Sequence, residues 1–289
     1  GTATRIDPRT GAASSGSISV VDLAEGRQSK SIPVGLHPSG MTLSPDDKFL
    51  YVANANSDTV SVISVANDAV VETIDTKPNG KLPFGSGSNA LAINRAGDTL
   101  FVANGTNNCV ALVALGPKGC SKPVNEEASH VRGQMPTGWY PGALVLDEPA
   151  GSAARLLVAN VKGHGSLYLP ANRTGYNSHD FLGSISVIDL PNSERLAEMT
   201  AEVGKNNRLA LSLNGLAPPR PEVKPVVVPD RHGEPSLIEH VVYIIKENRT
   251  YDQLLGDMPK GNGDPKLVLF GTEITPNHHA LADEFVLLD

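Results

Sequence analysis

Leu50-Tyr51-Val52-Ala53-Asn54 decides the fold, because it returns as Leu100-Phe101-Val102-Ala103-Asn104 and again as Leu156-Leu157-Val158-Ala159-Asn160. A short apolar stretch precedes each copy: Gly40-Met41-Thr42-Leu43, Ala90-Leu91-Ala92-Ile93 and Ala143-Leu144-Val145-Leu146. An alternating stretch follows each: Val60-Ser61-Val62-Ile63, Val110-Ala111-Leu112-Val113 and Ser184-Ile185-Ser186-Val187-Ile188. Side chains on a strand alternate between faces, so this period of two predicts strand, turn, strand in every repeat. The turns are legible as Ser44-Pro45-Asp46-Asp47 and Asn94-Arg95-Ala96-Gly97-Asp98. Working outward, Ala69-Val70-Val71-Glu72-Thr73-Ile74 supplies a fourth strand to the first full repeat, and Ser17-Ile18-Ser19-Val20-Val21 repeats the third-strand pattern near the start.

Four short antiparallel strands in about 40 residues make one blade of a β-propeller. The Ser-Pro-Asp turn, the Leu-Tyr-Val-Ala-Asn strand and Thr59-Val60-Ser61-Val62-Ile63 together resemble the YVTN-repeat propeller family over residues 16–190. The later repeats depart from the pattern through insertions at 116–138 and 161–182. Part of one blade and three fuller repeats fall short of the roughly 4–8 blades that close a ring, so either the blades complete a ring with another copy or, the reading favoured here, the chain is an internal fragment of a longer protein. The insertion between Gly163 and Gly183 carries His164, Tyr168, Tyr176, His179 and Asp180, either solvated loop residues or ligand contacts on a propeller face. After it, Leu196, Met199 and Val203 form a helical stripe that Asn192 or Ser193 caps.

Composition agrees with turn-rich β structure: 28 Gly, 22 Pro and 4% aromatic residues in 289. A net charge of -7 offers no general attraction for a phosphate backbone, which argues against nucleic acid as a partner. No stretch approaches about 18 consecutive apolar residues, so no membrane span is expected. Cys109 and Cys120 are close enough in sequence to bridge a short loop, or else remain two thiols with one on a buried strand. A redox propeller is disfavoured, since the chain has no haem-attachment motif and a single Trp.

Composition shifts between Ala217 and Pro235, where Pro218, Pro219, Pro221, Pro225, Pro229 and Pro235 predict an extended, semi-rigid connection. The expected organisation is a partial propeller with a terminal helix over 1–208, a linker over 209–236, and a second domain over 237–289. That domain opens on Ile238-Glu239-His240-Val241-Val242-Tyr243-Ile244-Ile245-Lys246, a run expected of a buried central strand in an α/β sheet. Glu247 and Asn248 follow it, where such sheets gather ligands. On chemistry alone the pair is either an ordinary turn or two hard oxygen donors for a divalent cation. Asn104, Asn172 and Asn248 each begin a glycosylation triplet, a match that arises readily by chance.

The segment from His240 to Asp252 resembles the opening strand of the bacterial phosphoesterases, which include phospholipase C-like enzymes and acid phosphatases. Thr275-Pro276-Asn277-His278-His279-Ala280-Leu281-Ala282 is similar to a segment of the wider alkaline-phosphatase and sulfatase superfamily. The resemblance covers residues 238–289 and implies a divalent metal ion at Glu247 and Asn248, its identity left open. It also implies a Ser or Thr nucleophile and further ligands downstream of Asp289. Thr275 and Pro276 are expected to open a helix, with Asn277 structural and His278 and His279 either solvated or capping, or else approaching the site.

The fold expected is therefore all-β propeller blades followed by the first elements of an α/β alkaline-phosphatase-like domain. The function expected of the intact protein is metal-dependent hydrolysis of a phosphate-ester small molecule or phospholipid, in the periplasm or outside the cell. The alternative is a non-catalytic propeller that binds a surface polymer or protein beside a vestigial hydrolase domain.

Overall fold

The computed structural model describes residues 6, 8, 11, 15–123, 127–163 and 182–288; His164, Tyr168, Asn172, Tyr176, His179 and Asp180 lie outside them. The chain divides into two compact units, residues 1–225 with 229–235, and residues 226–228 with 236–289.

The first unit is a row of antiparallel sheets. β1 (Gly16–Asp22) pairs with β2 (Arg27–Val34). A four-stranded sheet follows, β3 (Pro38–Leu43), β4 (Phe49–Asn54), β5 (Thr59–Ser64) and β6 (Ala69–Asp75). A second contains β7 (Ser88–Ile93), β8 (Thr99–Asn104), β9 (Cys109–Ala114) and β10 (His130–Pro136). The last holds β11 (Pro141–Asp147), β12 (Arg155–Asn160) and β13 (Ser184–Asp189). In each, sequential strands lie side by side, the meander of a propeller blade.

Alternation of side chains lets each sheet serve two cores. Val52 of β4 points toward β1 and β2, joining Ile32 and Val34, while its neighbour Tyr51 points the other way. Tyr51, Val60, Val62 and Ile74 meet Leu100, Val102, Ala111 and Val113 of the next sheet. From that sheet's opposite face, Phe101, Val110, Leu112 and Met135 meet Leu156, Val158 and Ile188. The expected helix is α1 (Ser193–Asn206), with Asn192 accepting from the Arg195 amide at 2.9 Å. Leu196 and Val203 are buried, and Thr200 Oγ1 accepts from the Gln134 amide at 2.9 Å, so the helix covers the open edge of β10.

One backbone device recurs where each full sheet begins. His37, Gly87 and Tyr140 stand just before β3, β7 and β11 with φ of 54, 66 and 56°, the left-handed region. This turns the chain so that each carbonyl faces the hairpin of its own sheet. His37 O accepts from Ala55 N at 3.0 Å, Gly87 O from Gly105 N at 2.9 Å, and Tyr140 O from Val161 N at 3.0 Å. A second device reaches across to the next sheet. Asp58, fully buried in the β4–β5 hairpin, accepts from the amides of Gly85 at 2.7 Å, Ser86 at 2.9 Å and Gly87 at 2.8 Å. Asn108, at the equivalent place in the β8–β9 hairpin, accepts from Tyr140 N at 2.9 Å. The repeated Asn54 and Asn160 each donate to a serine, Ser61 and Ser186, at 2.9 Å.

Several expectations are corrected. The insertion at 116–138 contains β10, the fourth strand of its sheet. Its pattern was obscure because Gly133 and Gln134 interrupt the alternation, at the point where the register shifts against β9. The loop before β10 is fastened by Tyr51, which donates to Gly119 O at 2.6 Å, and by Glu72, which accepts from Ser129 Oγ at 2.7 Å. Cys109 and Cys120 are both free and buried. They belong to opposite ends of β9, since Cys120 Sγ sits 3.7 Å from Leu115 O, and a strand of that length separates its ends by about 20 Å. A disulfide needs Cα atoms within about 7 Å.

The connection over 209–236 is neither featureless nor an extended spacer. It starts with α2 (Leu209–Gly215) and then folds back on itself. Arg220 donates to Glu234 at 2.7 and 2.8 Å and to Asp230 at 3.0 Å, and Arg231 donates to Pro218 O at 3.0 Å. The guanidinium holds the Glu234 carboxyl down at about 2. The ion pairs of Arg220 close this proline-rich loop.

Two outcomes follow for the first unit. Asp58→Ala leaves three amides without an acceptor and should lower stability by about 3 kcal/mol in urea unfolding, against about 1 for Asn108→Ala; equal losses would contradict the reading. Burial pushes the Cys109 thiol up to about 12, so Cys109 should stay unreactive toward Ellman's reagent at pH 8 until urea unfolds the chain.

Candidate functional site

The second unit is built from an extended segment and short helices. Val226 bridges Ser236, and Leu237 N donates to Val226 O at 2.9 Å. The run predicted as a buried central strand does not pair with any described residue. Val241, Val242, Tyr243, Ile244 and Ile245 are between 74 and 85% exposed. The correction has a simple cause: a strand exists through hydrogen bonds to a neighbouring backbone, and no described segment lies alongside this one. An apolar run of this kind, left in water, is a surface that needs covering.

Glu247 and Asn248 end the run, and both are exposed. Neither side chain bonds to another described residue. Asn248 has φ of 71°, a left-handed conformation that Asn tolerates better than most residues, and it turns the chain toward α3 (Tyr251–Leu255). Arg249 lies over the Phe270 ring at 5.0 Å, and the Gln253 carbonyl accepts from Leu269 and Phe270 at 3.0 and 2.9 Å. These contacts fold residues 265–275 back against α3.

Thr275 precedes α4 (Pro276–Glu284), with Pro276 in the first turn as expected. The Thr275 hydroxyl does not cap the helix. It donates to Phe270 O at 2.8 Å and lies 3.1 Å from His279 Nδ1. His279 is buried, which corrects the solvated role expected of it. Its Nε2 is 2.7 Å from Asp257 Oδ1, and its Nδ1 is 2.9 Å from Thr275 O. Hydroxyl, imidazole and carboxylate in line look like a nucleophilic triad, but their protons are already committed. The hydroxyl proton goes to Phe270 O, and Nδ1 serves the Thr275 carbonyl, so Thr275 is not activated. The group is a clamp that holds α4 to the Asp257 turn. Asp257 was missed in sequence because an isolated Asp in a Gly-rich loop carries no pattern.

His278, the neighbouring imidazole, is half-buried and its Nε2 lies 2.7 Å from Lys246 Nζ. The two segments singled out in sequence, 240–252 and 275–282, therefore meet, with Lys246 next to Glu247. Glu247 and Asn248 offer two hard oxygen donors, and among the described residues no group of three or more His, Cys, Asp or Glu is arranged to hold a metal ion.

Residues 6–136 match the family model described as Lactonase, 7-bladed beta-propeller, which agrees with the sheet meander of the first unit and supports a propeller domain. A chain of Kuenenia stuttgartiensis hydrazine synthase aligns with a TM-score of 0.43 and 20% identity, over 60% of this chain and 40% of that one. The chain thus spans about two-fifths of the length of that protein. No curated protein matches the sequence.

The clamp has a pH signature. The Asp257 carboxylate raises the His279 pKa above the ordinary 6.5, and His279 lowers that of Asp257 below 3.8. The raised His stabilises the fold fully below pH 6.5 and ceases to as pH climbs through its folded value. The lowered Asp stabilises it above pH 3.8 and ceases to as pH falls through its own folded value. Between those limits α4 is held most firmly. An NMR titration should place the His279 midpoint above 6.5, and Asp257→Asn should bring it down; an unchanged midpoint would contradict the pairing.

Proposed function

We propose that the protein is a metal-dependent hydrolase of phosphate ester bonds whose propeller is an accessory binding domain. The observation that carries the reading is the meeting of Lys246 with His278, which brings together the two segments that resemble phosphoesterases beside an exposed carboxylate and amide. Glu247 and Asn248 would hold the divalent cation, and a cation bound there would polarise a phosphoryl oxygen and lower the pKa of a hydroxyl nucleophile. Lys246, adjacent to the pair in sequence, would supply positive charge suited to a phosphoryl group. The nucleophile is proposed to lie beyond Asp289, so residues 1–289 alone would turn over no substrate. The exposed run from Val241 to Ile245 would take its place in a sheet with strands supplied by the same domain.

Phosphomonoesters and phospholipids are both proposed substrates, and the periplasm or the exterior the proposed location. The proposed location rests on the resemblance of residues 238–289, since Cys109 and Cys120 are free thiols. The lactonase description of the matching family model favours a second reading, ester hydrolysis of another kind by the propeller itself.

The test is p-nitrophenyl phosphate hydrolysis by the intact gene product, with gluconolactone hydrolysis measured alongside. The proposal expects phosphatase activity that EDTA removes and Mn, Mg or Ca restores, and that Glu247→Gln lowers by about 100-fold. Metal-independent activity, or wild-type activity in Glu247→Gln, would overturn it. Lactone hydrolysis without phosphatase activity would favour the second reading.

A further inference from the structure

The propeller unit carries a cavity that the hydrolase reading does not use. It lies at the end of the sheets where β3, β7 and β11 begin, and its volume is about 360 Å³, within the range of small-ligand sites. His37, Asn56, Phe84, Asn89, Thr106 and Tyr140 dominate its wall, which contains no carboxylate, lysine or arginine. We propose that this cavity binds a neutral carbohydrate, through a sugar ring stacked on Phe84 and hydroxyls bonded to the surrounding amides and imidazole.

Phe84 is 71% exposed, although a large apolar ring gains from burial. It is also held in place from one side, since Lys77 lies 5.7 Å from the ring centre. Lys77 is itself anchored by the carbonyls of Gly80 and Leu82, at 3.2 and 3.0 Å. The result is a positioned aromatic platform with a free face. The negative face of an aromatic ring attracts the slightly positive C–H hydrogens that a pyranose presents above and below its ring. Tyr140 forms a second aromatic wall, packed so closely on Gly105 that an added Cβ there would lie 3.1 Å from the phenol carbon.

The polar groups around these rings have hydrogen-bonding capacity to spare. The side chains of His37 and Asn56 bond to no other described residue. Asn89 Oδ1 is buried without a donor among the described residues, an arrangement that costs free energy. Turning that amide toward a ligand would break no bond at Oδ1. Sugar hydroxyls both donate and accept, which suits such a mixed set of amides and imidazole. No lysine or arginine lines the wall itself, but Lys77 and Lys162 lie 5.7 and 5.9 Å from the Phe84 and Tyr140 ring centres, so phosphate is the competing ligand that the test must separate from a sugar.

The proposal concerns the first unit and stands or falls apart from the hydrolase reading. Saturation-transfer NMR with maltotriose, cellotriose and N,N′,N″-triacetylchitotriose tests it on the full chain. At least one sugar should give a saturable signal. Phe84→Ala should weaken its binding about three- to tenfold, the loss expected for one aromatic contact. Asn56→Ala should weaken it as well; both positions are on the surface of loops, and unchanged thermal unfolding would show that the fold is kept. No signal from any of the three sugars overturns the proposal, as does binding that both substitutions leave unchanged. Phosphate binding, detected by ³¹P line broadening, in place of sugar binding would also overturn it.

Discussion

The ties between one sheet's hairpin and the next sheet's entry loop hold the propeller unit in register. Apolar packing brings neighbouring sheets together, but it is non-directional and leaves their relative placement loose. Asp58 removes that freedom by satisfying three amides of the Gly85–Gly87 loop at once. A buried carboxylate is expensive to keep unless bonds of this kind surround it. Asn108 does the same for Tyr140 with a single bond. The left-handed residues just before β3, β7 and β11 then point their carbonyls back into their own sheets. The same geometry leaves His37 and Tyr140 at the mouth of a cavity, so the framework of the unit and its candidate ligand site share residues.

Much of this unit was legible in sequence because its signals are local. Alternation at β4, β8 and β12 marks both faces of each strand, and the Ser-Pro-Asp turn marks where the chain reverses. The stripe of Leu196 and Val203 marked α1, and the helix lies where the stripe required. β10 was hidden because Gly133 gives up its side chain to let Leu196 approach, which breaks the pattern that reveals a strand. The bonds from Asp58 were hidden for another reason. They join residues more than 25 positions apart, and nothing in a single sequence says which loop an aspartate will reach.

The second unit was read less well, and for a physical reason. A central strand is defined by its neighbours, so Val241–Ile245 can carry the right composition while remaining unpaired and exposed. Helix α4 needed less context: Thr275 and Pro276 opened it as expected, yet the Thr275 hydroxyl turned to Phe270 O. His279 was expected to be solvated and is instead clamped to Asp257, a partner 22 positions away that its local sequence does not announce. Glu247 and Asn248 stand exposed, with side chains that bond to no other described residue.

In the proposed hydrolase the Glu247 carboxylate and the Asn248 amide form part of a divalent-metal centre. Crystals of the intact protein soaked in Mn²⁺ and measured at the manganese edge test this. An anomalous peak is expected about 2.0–2.6 Å from oxygens of Glu247 and Asn248. Full occupancy elsewhere in the protein with no peak at that pair would contradict it.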